Sequence, residues 1–146
     1  MSDNSLAVVD HTVQQTNIWL KKLVEEHHLQ SRHQAYSALR AVLHALRDRL
    51  TSEQAVHLGA QLPLLIRGIY YEGWRVNHKP LGIKRVDEFA EHVAKELPPN
   101  FPRDPVGVSE AVFDLLAQEL DPGEIHKVIG ELPVPLRSLW PEQLAH

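Results

Sequence analysis

The chain matches itself. Set against its own sequence at an offset of 70 residues, it aligns without a gap through the positions that carry apolar periodicity. Trp19 falls on Phe89, Leu20 on Ala90 and Leu23 on Val93; Leu46 falls on Leu116 and Leu50 on Leu120. Leu62-Pro63 falls on Leu132-Pro133, Arg67 on Arg137, and Tyr70 on Trp140. Identity is low, but the coincidences sit where a core is expected. A fold that honours this register uses one unit twice.

The unit reads as helical. Asp10 is placed to cap a first helix running to about His28, with Val9, Val13, Leu20, Leu23 and His27 on one stripe. Ser31 and Gln34 have capping-box spacing for a second helix. There Ala35, Leu39, Val42, Leu46 and Leu50 face inward, and Arg40, Arg47 and Asp48 take the other side. Thr51 and Gln54 repeat the box for a short third helix. Pro63, which cannot continue that helix, opens a fourth with Leu65, Ile66 and Ile69 inward, and Gly73 stops it.

After a stretch broken by Pro80 and Gly82 the pattern restarts. The second copy differs in its punctuation. Four prolines between Leu97 and Pro105 stiffen the approach to its second helix, Asp121-Pro122 opens its third, and Pro135 and Pro141 cut its last one short. No segment alternates with the period of a strand. The expected architecture is all-α, a duplicated helical bundle of seven or eight helices with two pseudo-two-fold-related repeats of about four each. It is expected as one domain over residues 1–146, with repeats at about 16–76 and 86–146 and a linker at 77–85.

Charge narrows the function classes. Residues 1–75 carry 8 Lys/Arg and 7 Asp/Glu, whereas residues 76–146 carry 7 and 12. The acidic second half repels phosphate, so no nucleic-acid partner is expected. No apolar run reaches the ~20 residues of a membrane span. The start, Met1 to Ser5, lacks the basic and apolar segments of a signal peptide, and there is no cysteine. The expected address is the cytoplasm, without disulfides or thiolate metal sites.

The stretch from Gln61 to Arg75, with Leu62-Pro63, Arg67 and Tyr70-Tyr71-Glu72-Gly73-Trp74, resembles the signature of the bacterial family called domain of unknown function 2267. The Pro-containing linker, the helix opening Val86-Asp87-Glu88-Phe89, and the second Leu132-Pro133 with Arg137 fit as well. The resemblance covers about residues 10–142. It implies a helical, duplicated protein and carries no catalytic residues with it.

Three groups of residues are candidates for a site. Arg67 and Arg137 recur four residues after Leu-Pro, where a planar guanidinium either binds an anion or holds a partner within the fold; the second is expected, near the seam between repeats. Tyr70, Tyr71 and Trp74 cannot all face one side of a helix, and with Trp140 they are candidates for an interface or for the inter-repeat core. Of the 10 histidines, His92 lies at helical spacing from Glu88 and Glu96, a set able to ligate a divalent metal. The bland alternative is a solvated polar face. There is no Gly-rich phosphate loop, no Gly-x-Ser-x-Gly and no cysteine nucleophile.

These features support three readings. The first is a non-enzymatic helical interaction module with a protein partner and no cofactor. The second is a small-ligand or anion binder using the inter-repeat cleft with Arg67 and Arg137. The third is a metal-dependent enzyme built around the histidines.

Overall fold

The computed structural model describes residues 6–77 and 79–145. His78 of the expected linker lies outside the described residues. Among them there are seven α-helices and two short 3-10 helices, and no strand. The helices are α1 (Ala7–His27), α2 (Arg32–Arg49), α3 (Ser52–Gly59), α4 (Leu64–Tyr71), α5 (Val86–Glu96), α6 (Pro105–Glu119) and α7 (Pro122–Glu131). Two 3-10 segments follow, Val134–Leu139 and Glu142–Leu144.

Local chemistry sets most of the boundaries. The Ser31 hydroxyl accepts from Gln34 N at 3.1 Å and opens α2. Thr51 and Gln54 form a reciprocal box at α3, with bonds of 3.1 and 3.0 Å. Asp121 accepts from Gly123 N and Glu124 N at α7. Pro135 sits at the start of Val134–Leu139, which tightens into a 3-10 helix where the first half has α4.

Two helices depart from expectation. The helix α1 begins at Ala7 with Leu6 at its N-cap position, so Asp10 lies in its first turn rather than at the N-cap. Its buried stripe is Thr12, Thr16, Trp19, Leu20 and Leu23, whereas Val9 and Val13 are exposed. Threonine can be buried here because its hydroxyl is satisfied. Thr16 Oγ1 donates to the Thr12 carbonyl at 2.8 Å, and Thr12 Oγ1 accepts from Leu65 N at 2.8 Å. Pro63 offers α4 no side-chain cap, and Thr12 supplies one from another helix. In α4, Ile66 is buried but Leu65 is exposed.

The second departure is α2. Leu39, Val42, Leu46 and Leu50 are fully buried as expected, but so are Ala38, Ala41, Leu43 and Ala45. Arg47, placed by its charge on the outer face, is 5% exposed, and His44 is 3% exposed. The helix is enclosed because α1, α4, α5 and α6 all pack against it. Buried polar side chains on such a helix need fixed partners, and the end of α4 provides them. Arg47 donates to the Tyr70 and Glu72 carbonyls at 2.8 Å each, and His44 Nε2 donates to the Ile69 carbonyl at 2.8 Å. Two side chains of α2 therefore cap the C-terminal end of α4, where the helix dipole favours positive charge.

The first four helices pack against the last three through several pairs. The helix α2 packs on α5, and α6 packs on α1; α2 also meets α6, and α3 meets α7. One connected apolar cluster runs through both halves, from Trp19 and Leu46 to Leu116 and Trp140. Phe113 stacks on Trp140 with ring centroids 4.3 Å apart and planes 6° off parallel.

Candidate functional site

Arg67 and Arg137 bind backbone. Arg67 Nε donates to the Gly59 carbonyl at 3.0 Å, and its NH2 to Leu62 and Ala60 at 2.9 and 3.4 Å. Arg137 Nε donates to Leu132 at 3.1 Å and its NH2 to Gly130 at 3.2 Å. Each guanidinium caps the end of the helix before it, α3 or α7, and draws every one of these partners from its own half. A partner supplied by both halves was expected, but the corner that Leu-Pro creates already presents carbonyls within reach.

The aromatic residues divide. Tyr70 is fully buried, and its hydroxyl donates to the Ala55 carbonyl at 2.6 Å. Burial pushes its phenol pKa up. Trp140 is 3% exposed. Tyr70 is closed to a partner, whereas the small exposed part of Trp140 lies in the wall of a groove along α6. Tyr71 and Trp74 are half-buried, with ring centroids 5.5 Å apart, and Tyr71 lies across Gly59, where any Cβ would run into its phenol.

Glu88, His92 and Glu96 turn to three different tasks. Glu88 accepts from Lys84 N and Arg85 N at the start of α5, which holds its carboxyl below the usual range. His92 pairs with Asp48 across α2 at 3.5 Å. Glu96 accepts from His44 Nδ1 at 3.0 Å and from Arg40 at 3.4 Å. Both ring nitrogens of His44 thus face oxygens. Arg40 also donates to Glu72 at 2.7 Å, and that bond lowers the Glu72 pKa. Burial opposes ionisation of Asp48, but the bonds from His92 and Arg47 outweigh it and hold its carboxyl below the ordinary value. This α2–α5 seam is a closed network of paired charges.

The α1–α6 seam is open. A groove of about 760 Å³ runs along α6 from the end of α1 to the C-terminal 3-10 turns, and Arg103, Glu110, Asp114, Trp140 and Glu142 are among its lining residues. His27 closes one rim. Arg103 NH1 donates to the His27 carbonyl at 2.8 Å and pins the end of α1 to the proline-rich segment. That end is sharp because His28 adopts a left-handed conformation with φ 60°. His27 Nε2 donates to Asp114 at 2.9 Å. Gln118 Nε2 donates to Asp114 and to Glu26 at 3.0 Å each. Lys22 is held by Glu119, whose hydrogen bond raises the lysine pKa.

The groove therefore combines three carboxylates, an imidazole, one arginine turned toward backbone, and a partly apolar wall. Such a surface attracts positive charge. Sequence reading did not single out Glu26, Glu110, Asp114, Glu142 or Arg103. The available signal was the register at 70 residues. It places Glu110 on Arg40, Asp114 on His44 and Ala117 on Arg47, while Glu26 and Glu142 fall on Glu96 and Glu72. Three basic positions of the closed seam have no basic counterpart in the open one.

Among known proteins, a family described as an uncharacterized conserved protein, DUF2267, matches residues 16–139 of the chain. No curated protein matches it.

Proposed function

The chain belongs to the DUF2267 family, and we propose that it is a non-enzymatic interaction module that receives a basic segment of a protein partner in the α1–α6 groove. The observation that carries this reading is the lining of that groove. Glu110, Asp114 and Glu142 stand beside Leu139, Trp140 and Pro141. Acidic side chains over an apolar wall complement lysine and arginine, whose stems pack while their heads pair. We keep the cytoplasm of a bacterium as its setting, and a sequence without cysteine suits a reducing compartment.

The reading includes a tandem duplication of one helical unit, within a single domain. What supports it is reciprocity. Contacts of α2 with α5 and of α6 with α1 exchange under a shift of 70 residues, whereas α2–α6 and α3–α7 map onto themselves. That is the pattern of an isologous pair. Arg67 and Arg137 add to it, since both reach the carbonyls two and no residues before their own Leu-Pro step, Ala60 and Leu62 or Gly130 and Leu132. Those bonds also engage Nε and one terminal nitrogen of each guanidinium with carbonyls, which favours the acidic groove over an anion site at the two arginines.

The test is a two-dimensional NMR titration with a short peptide of alternating lysine and leucine, beside one of alternating glutamate and leucine. The lysine peptide is expected to move Ala111, Ser138 and the Trp140 indole, in a salt-dependent way, and Glu110→Lys/Glu142→Lys is expected to abolish the response. Equal responses to both peptides, or shifts confined to another face, would overturn the reading. Spermidine moving the same signals at lower concentration than the peptide would replace the protein partner with a small cationic ligand.

A further inference from the structure

We propose that Glu26, His27 and Asp114 form a binding site for one divalent transition-metal ion, at the edge of the groove and separate from the peptide contacts on Glu110 and Glu142. Two helices position the donors. Glu26 and His27 are in the last turn of α1, and Asp114 is on α6. One ligating atom from each residue lies within 4.8 Å of the other two. His27 Nε2 and Asp114 Oδ2 are already 2.9 Å apart, the edge length of a coordination polyhedron.

The donor set selects the class of ion. One imidazole nitrogen and two carboxylate oxygens suit zinc and its first-row neighbours, whereas calcium and magnesium favour oxygen alone. Three protein donors leave a position for water, and the groove beside His27 and Asp114 gives solvent and ion a way in. The carboxylates are also oriented by a neutral group. Gln118 Nε2 reaches both Glu26 and Asp114 at 3.0 Å, and the Gln118 carbonyl faces Lys22 at 3.5 Å. An amide bridging two ligating carboxylates is the kind of outer partner that fixes a metal site.

A second observation, independent of the donor geometry, points to a missing cation. In the α2–α5 seam, Glu96 meets two basic side chains, Arg40 and His44, and Arg47 lies one turn on. At the same register, the α1–α6 seam keeps the carboxylate as Glu26 but has Glu110, Asp114 and Ala117 where those bases stand. The nearest cations are spent elsewhere, Lys22 on Glu119 and Arg103 on the His27 carbonyl. A divalent ion supplies what this seam lacks. The register comparison leans on the proposed duplication, but the donor geometry stands without it.

Isothermal titration with zinc chloride, on full-length protein free of any histidine tag and stripped with chelator, tests the site. The expected result is one strong site per chain, with the His27 ring signals shifting in NMR and a zinc-dependent rise in melting temperature. His27→Ala and Asp114→Asn are each expected to weaken that site at least tenfold, and Glu26→Gln, on an exposed side chain, keeps the test open if the Asp114 variant does not fold. His33→Ala and His92→Ala serve as controls and are expected to bind as the native chain does. Zinc binding of native strength in His27→Ala, or only weak binding spread over several sites, would overturn the proposal. The titration contains no peptide, so its failure and that of the groove reading are distinguishable.

Discussion

Where α2 meets α5, carboxylates meet two arginines and two histidines; where α6 meets α1, they meet one lysine, one imidazole, an amide and an open groove. The two seams occupy the same register 70 residues apart, and both lie between the halves of the chain. In the first, Arg47 and His44 are buried and divide their bonds between carbonyls at the end of α4 and the carboxylates of Asp48 and Glu96. In the second, the corresponding positions hold Ala117 and Asp114, and the carbonyls at the end of Val134–Leu139 receive no such caps from α6. A short 3-10 segment takes the place of α4. The closed seam is thus a structural device, and the open one leaves the groove along α6 uncovered.

The comparison presupposes cores of equal worth. Leu46 and Leu116 are both fully buried in the last turns of α2 and α6. Leu46→Ala and Leu116→Ala are each expected to cost about 3–5 kcal/mol in urea titration. A loss below about 1 kcal/mol at Leu116 alone would break the comparison. It would mean that the second half is loosely packed and that its open groove reflects slack.

The next test sharpens it. Arg67 makes three bonds to carbonyls and Arg137 makes two, in the same kind of corner. Arg67→Ala is expected to cost about 2 kcal/mol and Arg137→Ala about 1 kcal/mol. Arg67→Lys restores only part, because lysine lacks the fork. Melts with and without sulfate separate structure from anion binding. If Arg67→Ala melts like the native chain but loses a stabilisation by sulfate, the capping account fails.

The smallest effect concerns pH. The Asp48 carboxyl is held below its ordinary value, so its contribution is present above the unfolded pKa and is lost as pH falls through the folded one. Its counterpart at the open seam is Gln118, which does not titrate. Between about pH 5 and about pH 3, Asp48→Asn is expected to flatten the acid side of the stability curve relative to the native chain. An unchanged slope would show that the closed seam does not depend on this charge.

What the sequence disclosed, and what it withheld, follows the range of the forces involved. Helix starts at Ser31, Thr51 and Asp121 were legible because the capping atoms lie within three residues of what they cap. The family was legible for a similar reason, in the local string around Leu62-Pro63 and Tyr70 to Trp74. The face of α1 was misread because Thr12 and Thr16 look polar until α4 offers the Leu65 amide. Arg47 was set outside because its partners lie on α4, more than twenty residues on. The meeting of Glu26, His27 and Asp114 depends on how α1 crosses α6, and no local pattern encodes it.

Enclosing α2 with helices from both halves also has a consequence for synthesis. When α2 leaves the ribosome, α1 is present and α4 soon follows, but α5 and α6 do not yet exist. Until residue 119 has emerged, the sides of α2 meant for them remain bare, with apolar surface open to chaperones and to neighbouring nascent chains. The first half must therefore wait, half-dressed, for the second, and the proline-rich segment at 97–105 must itself emerge before α6 can end that wait.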